Sequence, residues 1–85
     1  MQELLKDRAI IKLEGVDASK FLQSLVTNDV VNKSFSYNYL LNNQGRYLFD
    51  FFVYKLEKDI FYLDLFKELG DSLIKRLKLY RLRSS

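Results

Sequence analysis

The chain has 85 residues, which suits one small domain, and a domain of this size buries only about 60 to 65% of the surface its unfolded chain exposes. With 48% hydrophobic residues, among them seven Phe and six Tyr, and 29% charged residues, it has the means for an apolar core and a soluble surface, which argues against disorder. The absence of Cys and His excludes disulfides, thiolate and imidazole metal ligands, Cys and Ser-His nucleophiles and the usual proton shuttle near neutral pH. The net charge of +3 is uneven: residues 67–85 carry six Lys or Arg against two acids, so any basic patch lies at that end. No stretch reaches the roughly 18 apolar residues of a membrane span and no signal-peptide pattern opens the chain, so no membrane and a cytoplasmic location are expected. Without Pro, repeats or a linker-like run, residues 1–85 read as one domain.

Ala9, Ile10, Ile11 and Leu13 ahead of Gly15 predict a strand over residues 8–14, with a short extended piece before it at residues 2–6. Asp17 can cap a helix whose apolar positions Ala18, Phe21, Leu22, Leu25 and Val26 share one face. Thr27, Asn28 and Asp29, which bond readily to nearby backbone, end it. Phe35, Tyr37, Tyr39 and Leu41 then alternate with Ser34, Ser36 and Asn38, the pattern of a half-buried strand. A turn at residues 42–45 leads into residues 46–56, where both alternating sets are apolar, as in a central strand covered on two faces. A second turn at residues 57–59 precedes a strand over 60–66. From Lys67 onward, Leu69, Leu73, Leu77 and Tyr80 recur at helical spacing beside Ile74, with Lys and Arg on the other side. The fold class is α+β: helices against an antiparallel or mixed sheet.

Asp50 interrupts the set Leu48, Phe52 and Tyr54 on one strand face. A buried carboxylate must be paired, hydrogen-bonded or protonated, so Asp50 is either a ligand-binding group or a rim residue that meets water or a Lys. Asp64 interrupts the next strand in the same way, and hairpin register decides whether it approaches Asp50. The segment Asn42, Asn43, Gln44, Gly45 and Arg46 is a hairpin connection in itself, although the planar fork of Arg46 suits a carboxylate or phosphate. The basic stripe of residues 75–83 has the charge to meet nucleic acid but no aromatic RNA-binding motif, and such stripes are usually the wet side of a helix.

Taken together, residues 15–30 (GVDASKFLQSLVTNDV) and 40–54 (LLNNQGRYLFDFFVY) resemble the opening of YgfZ-type proteins, relatives of the glycine-cleavage T-protein, an aminomethyltransferase. The similarity extends over almost the whole chain, to Tyr80, Arg81, Leu82 and Arg83. The resemblance implies one β-β-α-β-β-β-α half of a folate-binding domain in which two such halves exchange first strands. It implies tetrahydrofolate as cofactor, with Asp50 facing the folate, the turn residues Asn42, Gln44 and Arg46 beside the same cavity, and aromatic walls that include Tyr54. The later Lys-Gly-Cys-Tyr-x-Gly-Gln-Glu segment of the YgfZ type has no counterpart here, nor does the second half. The expectation is therefore a truncated folate-binding relative of factors for iron-sulfur maturation and transfer-RNA modification, without an activity of its own. Its expected partners are folate and either a second copy, by strand exchange, or a separately encoded second half. The alternatives are a self-associating subunit without ligand and a small basic RNA-binding module. An independent enzyme is the least favoured, since Asp50 has no evident nucleophile or proton-relay partner.

Overall fold

The computed structural model describes residues 7–42 and 44–84, so the extended piece expected at residues 2–6 lies outside it. Strand β1 (Arg8–Glu14) leads through Gly15 to helix α1 (Ala18–Gln23). Strands β2 (Phe35–Leu41), β3 (Tyr47–Glu57) and β4 (Ile60–Phe66) follow as a meander, and a 3-10 turn (Lys67–Leu69) enters helix α2 (Gly70–Ser84). The sheet order is β1-β4-β3-β2 with every pairing antiparallel, which makes the α+β reading correct and selects the antiparallel option.

The core lies on one side of this sheet. Phe49, Phe51 and Val53 of β3, with Phe61, Leu63 and Leu65 of β4, are buried together with Leu22 of α1 and Leu73 and Leu77 of α2. Covering one such side chain is worth about 1.5 to 3 kcal/mol, so this cluster is the main force holding helices to sheet. Gly70 sits where α2 meets β1, and a Cβ there would come within 3.2 Å of the Ala9 Cβ, so the smallest residue permits the closest approach.

Three local expectations are revised. Helix α1 stops at Gln23, and Leu25 and Val26 pack on the core from beyond it. The Gln23 side chain replaces helix propagation, with Nε2 donating to the Asn28 carbonyl at 2.7 Å and Oε1 accepting from Val30 N–H at 2.9 Å. Strand β2 is half-buried, but on its polar side: Ser36 and Asn38 are 4% and 0% exposed, whereas Phe35, Tyr37 and Tyr39 are 50%, 38% and 41% exposed. Asn38 is tolerated inside because Oδ1 accepts from Asn28 N–H and Nδ2 donates to Ser36 Oγ, both at 2.9 Å. The sheet's other face is thus open among the described residues, and β3 is interior to the sheet yet covered on one face only.

Candidate functional site

The open face collects residues from all four strands. The register aligns Ile10 with Asp64, Asp64 with Phe52, and Phe52 with Tyr37. Asp50 lies opposite Tyr39. Between the Leu40–Phe49 and Leu41–Tyr47 pairs, β3 has one extra residue, a β-bulge. The bulge turns Leu48 toward the core and places Tyr47 on the open face with Tyr39, their ring centres 5.4 Å apart. Leu48 therefore leaves the set that strict alternation assigned to Asp50, and Tyr47 takes its place.

Both oxygens of the half-buried Asp50 accept phenol hydrogen bonds, Oδ2 from Tyr37 and Oδ1 from Tyr47. The Tyr37 bond, then the Tyr47 bond, holds the Asp50 carboxyl below its ordinary range, and these together outweigh its burial. The same bonds push both phenols above theirs, since a neutral donor is favoured beside a carboxylate. Asp50 is thus a charged acceptor on an aromatic wall, with Tyr37 tilted against Phe52 at 5.0 Å and Phe35 stacked on Phe52 at 5.5 Å.

Asp64 does not form a carboxylate pair with Asp50. It instead receives Arg8, whose Nε donates to Oδ1 at 2.8 Å. Arg8, Tyr37, Asp50, Phe52 and Phe66 surround a depression of about 280 Å³ on the open face. A larger hollow of about 720 Å³ lies near the Gly15 turn and α1, with Val16, Phe21 and Arg81 in its lining. It contains none of the Asp50 cluster, so the smaller depression is the candidate site.

Of the other residues singled out from sequence, Tyr54 shares the open face and packs its ring on Phe35, 5.0 Å away. Asn42 organises the hairpin, its Oδ1 accepting from the Gln44 and Arg46 N–H groups at 2.9 Å each, while Gly45 turns the chain at φ 80. Gln44 and Arg46 are exposed at that end of the sheet. Sequence reasoning missed Arg8, Tyr37 and Tyr47. The alternation of β2 already placed Tyr37 on a face of its own, but only strand register joins it to Asp50.

A meander with both helices on one face, and a carboxylate that accepts from two phenols on the other, defines an α+β half-layer with one open aromatic face. The chain belongs to the GCVT N-terminal domain family, whose sequence model matches residues 7–78. It is 35% identical to a protein of Pyricularia oryzae named iron-sulfur cluster assembly factor IBA57 homolog, mitochondrial, across 94% of this chain and 22% of that protein. It is 34% identical to a Neurospora crassa protein of the same name, across 94% and 20%. To the human iron-sulfur cluster assembly factor IBA57, mitochondrial, it is 32% identical, across 93% and 26%. The family resemblance read from residues 15–30 and 40–54 is correct, and the chain spans between a fifth and about a quarter of the length of these relatives.

The expected cytoplasmic location is corrected by the same comparison, because these relatives are named as mitochondrial. The expectation drew on the lack of a signal-peptide pattern, and a chain that matches only part of its relatives says nothing through that lack about cellular address.

Proposed function

We propose that this chain is the folate-binding wall of an iron-sulfur cluster assembly factor of the mitochondrial type. The observation that carries the reading is Asp50, kept ionised by Tyr37 and Tyr47 beside a depression with aromatic sides. Each Asp50 oxygen has a lone pair left after its phenol bond, so the carboxylate can accept from the amine and ring N–H groups of a pterin while Phe52 and Phe66 flank the ring. Tyr54 and Phe35 extend the aromatic wall, and the turn of Asn42, Gln44 and Arg46 forms the rim where Arg46 meets a tail carboxylate. The chemistry of these residues is binding and orientation, and no group transfer is assigned to them.

Calorimetric titration of the folded chain with tetrahydrofolate tests the reading. Binding is expected, weakened about tenfold or more by Asp50→Asn, which removes a charged acceptor. No heat and no thermal shift with millimolar tetrahydrofolate would overturn it.

A second reading, compatible with the first, is association of two copies. Its support is the open face, where Ile10, Phe35, Tyr47 and Phe66 are each at least half exposed, together with β1, which has only β4 as neighbour among the described residues. Strand β2 is less open on its outer side, where Val26 bridges Leu40 and Thr27 Oγ1 accepts from Tyr39 N–H at 3.1 Å. We therefore assign exchange or pairing to the β1 side, with a separately encoded second half as the other occupant to be distinguished.

A further inference from the structure

Arg8 has no part in the contacts assigned so far to Asp50, yet it lines the same depression. It comes from β1, at the far side of the sheet, because Arg8 pairs with Phe66 on β4 and β4 in turn pairs with β3. Its guanidinium is held in a fixed plane. Nε donates to Asp64 Oδ1 at 2.8 Å and Nη2 donates to the Asp64 carbonyl at 3.2 Å. The guanidinium carbon lies 5.0 Å from the Phe66 ring centre and 6.0 Å from that of Phe52, within reach of both π faces. Asp64 occupies two of the five N–H groups that a guanidinium carries, so donors remain, and their orientation is set before any ligand arrives. The ion pair also neutralises Asp64, leaving the depression with one fixed donor pole at Arg8 and one acceptor pole at Asp50.

A planar ring that satisfies both poles must offer an acceptor and neighbouring N–H donors along one edge. A cyclic lactam with an adjacent amine does so: its carbonyl oxygen accepts, and its ring N–H and amine donate. We infer that Arg8 is a specificity residue that donates to the ring carbonyl of the ligand whose N–H groups meet Asp50, so the site selects a 4-oxo pterin edge over the 4-amino one. This rests on the folate reading of the site and adds to it the ring form that the site accepts. A 4-amino ring turns donors toward the Arg8 donors, and a site built around a hydrogen bond discriminates against the partner that cannot make it.

The test is a cycle of two ligands and three proteins: tetrahydrofolate and its 4-amino counterpart, titrated calorimetrically into the unaltered chain, Arg8→Lys and Arg8→Gln. Loss of one hydrogen bond to a charged donor is expected to weaken tetrahydrofolate about 10- to 100-fold in Arg8→Gln and less in Arg8→Lys, while affinity for the 4-amino counterpart stays within about threefold. Thermal unfolding checks that each variant is folded, and where Arg8→Gln is not, Arg8→Lys carries the comparison because it keeps the cation facing Asp64. Equal weakening of both ligands would make Arg8 purely structural and overturn the inference, as would unchanged binding of tetrahydrofolate. If the unaltered chain binds neither ligand, the folate reading itself falls and takes the inference with it. Binding to the unaltered chain with indifferent variants removes the inference alone.

Discussion

Asp50 and its two phenols constrain one another, and the pH dependence follows from the signs. The folded pKa of Asp50 is depressed, so its contribution to stability is fully present above the ordinary value of 3.8 and is lost as pH falls through the lower folded value. Tyr37 and Tyr47 are raised, so theirs is present below the ordinary value of 10.0 and is lost as pH rises through the folded values. Between these limits the cluster does not titrate, and the acceptor stays charged at physiological pH. Asp50→Asn removes the charge that holds the protons on both phenols. Ultraviolet titration of the tyrosines should then show two of them moving down toward 10.0, and an unchanged curve would mean that the phenols do not bond to Asp50. Asp50 stood out in the sequence as a charge among apolar neighbours, but its partners did not. Tyr37 belongs to another strand and Tyr47 reaches the face through a bulge, and neither fact follows from residue spacing.

At the scale of elements, β2 shows why alternation fixes a period and not a side. Phe35, Tyr37 and Tyr39 outrank Ser36 and Asn38 in hydrophobicity, yet the polar set is buried. The segment between α1 and β2 packs against that set and supplies polar partners at the required places, with Asn28 N–H meeting Asn38 Oδ1. Asn38→Ala leaves that N–H without its acceptor in a buried setting, which costs about 1 to 3 kcal/mol. Urea unfolding should show a lower midpoint with an unchanged slope, and an unshifted midpoint would show that Asn38 is not needed to tie this segment to the sheet. The end of β1 and the start of α1 were more legible, because Gly15, at φ 138, occupies a conformation open to few other residues. The second turn uses a non-glycine residue instead, Asp59 at φ 63, whose carbonyl accepts from Gly15 N–H at 3.1 Å. Aspartate tolerates that region better than most side chains do.

At the scale of the whole molecule, a four-stranded sheet has both helices on one face and leaves aromatic rings on the other. Such a layer exposes apolar area that association can cover. Static light scattering across a concentration series should reveal a dimer, and Ile10→Lys, which places a charge on the open face at β1, the side assigned to association, should shift it to monomer. A folded monomer at the highest concentration would remove the second-copy reading and leave a separate second half as the occupant of the β1 side.

The order of elements, the antiparallel meander and the family were all present in the residue pattern, because each depends on local periodicity, on turn residues or on two linked segments of chain. Asp50 too was visible, as a carboxylate where an apolar residue was due. What only the tertiary structure decided was which side of β2 faces the helices, and which residues from distant strands meet Asp50. Arg8, Tyr37 and Tyr47 converge through strand register and a one-residue bulge, and a shift of one position sends a side chain to the opposite face of the sheet. The energy that fixes that register comes from packing across the core and has no signature in any single strand.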